Sequence, residues 1–173
     1  YMLHAQHGTP PSEEAIQRWA PHTPNCSMRL NELAAAIALP QLASLEERNA
    51  AWRAIYRRLE AGLAGLPNLR IPRTLPDVVH APTSFQFLAA LPAEDLEARL
   101  AICAERGVPI KWFGRQHATG FTSVHRHWGY VEARPLPKGD AVLAGLCDIR
   151  LPSDLTEEEV ATVVAVVRLA FGH

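Results

Sequence analysis

The sequence predicts an α+β fold, an α/β-type small domain in which a long helix leads into a small mixed sheet with helices packed on one side. Three observations predict it. Residues 31–62 keep helical character throughout, two stretches with a period of two bracket a helical stretch between 84 and 112, and a capping box opens a valine-faced helix after residue 156.

Along the chain, residues 1–27 are rich in proline, histidine and polar residues, with one short helical stretch over residues 12–19 that Ser12 is placed to cap. Asn31 is a good N-cap for the long helix. The first half of that helix, residues 33–39, reads LAAAIAL and is apolar all round, so it should be buried on most sides. Its second half narrows to one stripe of Trp52, Ile55, Leu59 and Leu63 among arginines and glutamates, and Pro40 should kink it. Gly65, Pro67 and Pro72 punctuate the next stretch, with room for a short strand near residues 69–71. Phe85, Phe87 and Ala89 then share one face of a strand. Leu96, Leu100 and Cys103 come next at helical spacing until Gly107, and Val108, Ile110 and Trp112 alternate again, so strand, helix and strand form a crossover unit within one sheet. Residues 114–145 read as a long irregular loop near a site. A short strand at 148–151 precedes the last helix, opened by Thr156 and Glu159 and lined by Val160, Val163, Val164, Val167 and Phe171.

Bulk properties narrow the function. The chain has 173 residues, 48% hydrophobic and 20% charged, enough to bury a core. A net charge of −1 and a pI near 6.8 offer no general attraction to phosphate backbones or anionic membranes, so neither nucleic acid nor a membrane is an expected partner. Cys26, Cys103 and Cys147 are odd in number and widely spaced, as suits reduced thiols in the cytoplasm. The start at Tyr1, running at once into His4, His7 and a Gly8-Thr9-Pro10-Pro11 turn, reads as the middle of something larger, a processed product or a fragment.

Two stretches carry a family resemblance. Residues 25–42 read NCSMRLNELAAAIALPQL, followed by Leu45 and Arg48, and residues 149–152 read IRLP with LTEEEV at 155–160. With Trp19 ahead of the first stretch, the chain resembles the C-terminal portion of a DegT/StrS-type sugar aminotransferase dependent on pyridoxal phosphate. The resemblance implies a large domain carrying the cofactor lysine, a long helix leaving it, and a small domain closing over the active site. It implies the division 1–27 as a remnant of the large domain with the signature loop, 28–66 as the long interdomain helix and 67–173 as the small C-terminal α+β domain. It also implies a homodimer in which the loop before the long helix reaches the neighbouring subunit's cofactor phosphate, as short polar side chains and N–H groups near a helix start allow.

Carried over, the signature arginine falls on Arg29 and its asparagine on Ser27, where serine keeps one hydrogen bond but lacks the amide's reach. The phosphate contact is then kept by Ser27, moved to Asn25, or lost. Met28 stands where the family has an aromatic. The chain has only two lysines, Lys111 and Lys138, and neither resembles the family's Ser/His-rich lysine motif. No catalytic residue is therefore assigned, and pyridoxal phosphate is expected in the intact enzyme rather than on this fragment alone.

Within residues 114–145, Arg115, His117, Trp128 and Tyr130 are the substrate candidates, because cationic and aromatic groups suit a sugar or its phosphate. A solvated loop accounts for them equally. His117, His125 and His127 match no zinc spacing, so no metal is assigned. The implied function is the C-terminal part of an enzyme moving an amino group from glutamate or glutamine to a nucleotide-linked keto-sugar or cyclitol. The alternative is a non-catalytic binding or assembly module derived from the same family. Without a large domain the apolar first half of the long helix would be left uncovered, and self-association is expected.

Overall fold

The structure is a computed structural model describing Glu14, Arg18, Trp19, His22 and residues 30–119, 122–132 and 134–172. The candidates Asn25, Ser27 and Arg29, with Cys26 and Met28, lie outside the described residues, as does most of the helical stretch at 12–19.

Asn31 caps α1 (Glu32–Leu42), its Oδ1 accepting from the Ala34 N–H at 2.7 Å. The expected long helix is in fact two, because α1 gives way at residues 43–44 to α2 (Leu45–Leu63). Pro40 brings no N–H to the ladder and so leaves the Ala36 carbonyl without its donor, yet α1 runs through it to Leu42 and breaks only at residues 43–44. The last turn is tight, Ala43 N–H donating to the Pro40 carbonyl at 3.3 Å, before α2 begins. The break strands the Gln41 carbonyl, and side chains satisfy it: Arg48 Nη2 donates to it at 2.9 Å and Ser44 Oγ at 3.3 Å. Arg48 Nη1 also reaches Gln41 Oε1 at 3.3 Å.

The expected burial of the first half is overturned: no residue of α1 is buried, and Leu33 and Leu39 are 71% and 69% exposed. An all-round apolar helix needs cover on several sides, and the described residues supply none. By contrast, the stripe on α2 is placed as its spacing predicts, with Ile55, Leu59 and Leu63 buried and the Trp52 indole donating to the Leu151 carbonyl at 2.9 Å.

The sheet has four strands, β1 (Leu69–Arg70), β2 (Ser84–Ala89), β3 (Lys111–Trp112) and β4 (Leu146–Arg150), in the order β1-β2-β4-β3. The crossover unit is present: α3 (Ala93–Glu105) carries the chain from β2 to β3. The sheet is not mixed, however, because β4 inserts between those two strands and every neighbouring pair is antiparallel. Phe85, Phe87, Cys147 and Ile149 turn to the face covered by α2, α3 and α5 (Glu157–Phe171). Phe87 and Phe171 meet edge to face with centroids 5.6 Å apart. Gly62 lets α2 approach α5 closely, since a Cβ there would overlap Val164. The predicted capping box forms, Thr156 Oγ1 accepting from the Glu159 N–H at 3.2 Å while Glu159 Oε2 accepts from the Thr156 N–H at 2.8 Å.

Residues 114–145 are less irregular than their composition predicts. A single 3₁₀ turn covers His125–His127, and α4 runs from Pro137 to Gly145. Pro137 stands in the first helical turn, where its missing N–H costs nothing, so the Pro-Lys-Gly-Asp stretch starts a helix rather than continuing the loop.

Phe171 is fully buried against the central strand, so Phe171→Ala should lower unfolding stability by about 3–5 kcal/mol. Val79→Ala, at a position 85% exposed, should stay within about 0.5 kcal/mol of the parent. Urea unfolding followed by circular dichroism measures both.

Candidate functional site

The edge strand β3 delivers the chain into the loop that holds the remaining candidates. Its last residue, Trp112, is buried, and the indole N–H donates to the Ala144 carbonyl at 2.8 Å, fastening the end of β3 to the end of α4. Gly114 stands just beyond, where a Cβ would run into that indole and that carbonyl, so only glycine lets the two backbones lie so close.

Beyond this point the loop is held by side chains rather than by a ladder. Arg126 Nη2 donates to the carbonyls of Phe113 and Arg115 at 3.3 and 3.0 Å. His127 uses both ring nitrogens: Nδ1 accepts from the Val124 N–H at 3.2 Å, and Nε2 lies 3.2 Å from the Arg115 carbonyl. The first contact makes Nδ1 an acceptor, so the proton sits on Nε2 and the second contact is a donated bond. Burial holds the His127 pKa below the ordinary imidazole value, against an opposing contribution from the Arg115 carbonyl.

These anchors place the four substrate candidates. The Arg115 guanidinium lies over the Trp112 ring, 5.7 Å from its centroid, and pairs with Glu97 of α3 at 2.7 Å. Arg115 and His117 border the same open hollow of about 720 Å³, whose opposite wall is Ala93, Glu97, Ala98 and Ala101 of α3. Trp128 and Tyr130 do not border this hollow. They stack on each other instead, centroids 5.9 Å apart and planes 10° from parallel, with the Trp128 indole donating to Ser123 Oγ at 3.2 Å. The structure thus brings the candidates together as two pairs. Glu97 escaped the sequence reading because it lies in a different element, while Asp140, which meets His125 Nε2 at 3.3 Å, was hidden by the missed helix α4. The available signal was Pro137, a residue favoured in a first helical turn, ahead of the apolar run at 141–144.

Neither lysine borders this hollow. Lys111 lies in register with Asp148 on the sheet face away from the helices, and Lys138 is exposed in the first turn of α4. The described residues therefore do not fit a covalently held pyridoxal phosphate. Nor do they hold an activated thiol: burial pushes Cys103 up to about 11 and Cys147 up to about 12, where a thiolate is not populated at neutral pH. Among the described residues, no three histidine, cysteine or acidic side chains converge on a common point.

The sequence pattern of the DegT/DnrJ/EryC1/StrS aminotransferases matches residues 2–168. The chain belongs to this family. Among solved structures, this DegT/StrS chain is similar to the aminotransferase TlmJ from Streptoalloteichus hindustanus, with 24% identity and a TM-score of 0.67 over 89% of this chain and 41% of that one. It is similar to S. venezuelae DesV in complex with a ketimine intermediate, with 19% identity and a TM-score of 0.66 over 91% and 43%. The sugar aminotransferase CalS13 from Micromonospora echinospora gives 18% identity and a TM-score of 0.64 over 89% and 43%. These likenesses establish a shared fold. The DegT/StrS chain spans less than half the length of each.

The His127 latch is sensitive to acid. Its folded pKa is depressed, so its contribution is complete above the unfolded value of 6.5 and is lost as pH falls through the folded value. Amide signals of Thr119, Thr122 and Val124 should therefore broaden or shift in a transition below pH 6.5, and His127→Ala should show the acid-like spectrum already at neutral pH. A pH-independent loop spectrum in the parent chain would refute the latch.

Proposed function

We propose that this chain is the C-terminal part of a pyridoxal-phosphate-dependent aminotransferase that moves an amino group from glutamate or glutamine to a nucleotide-linked keto-sugar or cyclitol. The observation that carries the reading is the family match over residues 2–168 in a chain spanning only 41% of TlmJ. The names of TlmJ and CalS13, an aminotransferase and a sugar aminotransferase, support the reaction and the substrate class.

In this reading an N-terminal large domain supplies the Schiff-base lysine, which neither Lys111 nor Lys138 is placed to replace. Ser27, Arg29 and Asn25 hold the cofactor phosphate of the partner subunit in a homodimer, and Arg115, His117, Trp128 and Tyr130 face the substrate. The cofactor supplies the electron sink for amino transfer when bound. The exposed apolar surface of α1 is what the large domain would cover, consistent with residues 28–66 as a connector between domains and 67–173 as the small domain. A cytoplasmic setting is part of the same proposal, and no described helix is long and apolar enough to cross a membrane.

The test compares two chains mixed with pyridoxal phosphate and reduced with borohydride. The 173-residue chain should show no Schiff-base absorbance and no trapped adduct, whereas the longer gene product should show both, with the adduct on a lysine preceding Tyr1. A stable adduct at Lys111 or Lys138 would overturn the proposal. A longer product that takes up no cofactor would leave the non-catalytic module as the correct reading.

A further inference from the structure

Between the loop, the 3₁₀ turn and α4 lies a second open hollow of about 580 Å³ whose polar groups the aminotransferase reading does not use. Its floor is backbone and small side chains at Gly114 and Ala144, and its walls carry Gln116, His125, Arg126, Arg134 and Asp140. Arg126 is fixed in place: Nη2 is spent on the Phe113 and Arg115 carbonyls, and Nη1 stands 3.7 Å from Asp140 Oδ1. The same carboxylate oxygen lies 3.3 Å from His125 Nε2. One carboxylate thus orients an imidazole and a guanidinium together, and its other oxygen has no protein partner among the contacts of the described residues.

Arg134 stands at the rim, paired with Glu132 at 2.9 Å, but both side chains are 77% exposed. A pair so exposed contributes little and exchanges readily for another anion. The groups of the hollow itself then comprise two guanidinium cations, one shared carboxylate, an imidazole and a neutral amide. That set favours an anionic ligand over a neutral one. Its donors are carried by three separate segments, Arg126 by the 3₁₀ turn, Gln116 by the loop and Arg134 by the rim, and such a spread suits a tetrahedral oxyanion better than a planar carboxylate, whose two oxygens one guanidinium fork would satisfy.

We propose that this hollow binds an oxyanion of the phosphate class. Arg126, Arg134 and the Gln116 amide donate to its oxygens, and Asp140 accepts from the proton of a singly protonated phosphate. This goes beyond the aminotransferase reading and does not depend on it, because binding is read on the chain without cofactor.

The test is a titration of the 173-residue chain with inorganic phosphate, followed by NMR and calorimetry, with glutamate and chloride titrated in parallel at matched ionic strength. Saturable phosphate binding that shifts the His125 and Arg126 signals is expected. Arg126→Gln and Arg134→Gln should each weaken it by about tenfold, as loss of a charge-assisted hydrogen bond does. Arg126 also holds the loop, so Arg134→Gln, which removes a rim donor from an exposed side chain, is the decisive variant. Absence of saturable phosphate binding overturns the proposal, as does an affinity unmoved by Arg134→Gln. Tighter binding of glutamate than of phosphate also overturns it and assigns the hollow to carboxylates.

Discussion

The whole fold depends on one face of a small sheet being covered. β4 pairs with β2 over its full length, and the two turn Phe85, Phe87, Cys147 and Ile149 to the same side, where α2, α3 and α5 close over them. An antiparallel sheet with one buried face tolerates polar residues on the other, and Gln86 and Asp148 meet there across the central pair at 3.3 Å. The same arrangement makes β3 an edge strand with a single partner. The ladder of β3 ends with the Phe113 N–H on the Leu146 carbonyl at 3.0 Å, where β4 begins, and the chain beyond is fixed by Trp112, Arg126 and His127.

Much of this was legible in the sequence, and the reasons are local. Phe85, Phe87 and Ala89 alternate, Leu96, Leu100 and Cys103 recur at helical spacing, and Thr156 with Glu159 forms a box whose geometry is dictated by residue types alone. The illegible parts depended on distant partners. Nothing in LAAAIAL tells whether its cover belongs to the same chain, and no residue of α1 is buried. The direction of the strands was also hidden, because β4 arrives from far along the sequence to separate β2 from β3. The helix α4 was missed because glycine and proline in Pro137–Gly145 look like loop punctuation, although proline in a first turn is favourable.

The family signature gains a physical content from the break between α1 and α2. Gln41 and Arg48, seven residues apart, meet across it, and the guanidinium takes the carbonyl that the broken ladder leaves open. A glutamine and a basic residue at that spacing belong to the architecture of a kinked helix rather than to amino-group chemistry. The candidate substrate residues differ in what holds them: Arg115 pairs with Glu97 and lies over Trp112, whereas Trp128 and Tyr130 stack on each other at the surface. The cofactor candidates Asn25, Ser27 and Arg29 were recognisable only through the signature, since isolated polar residues ahead of a helix carry no chemistry of their own.

The central claim is that residues 45–172 fold around the β2–β4 pair while α1 awaits cover from elsewhere. Native-state hydrogen exchange on the 173-residue chain tests it directly. Amides of Phe85, Phe87, Cys147 and Ile149 that are bonded within the sheet should exchange at the slow rate set by global unfolding, and those of Ile37 and Leu39 orders of magnitude faster. Equal protection of α1 and the central strands in a monomeric sample would contradict the account.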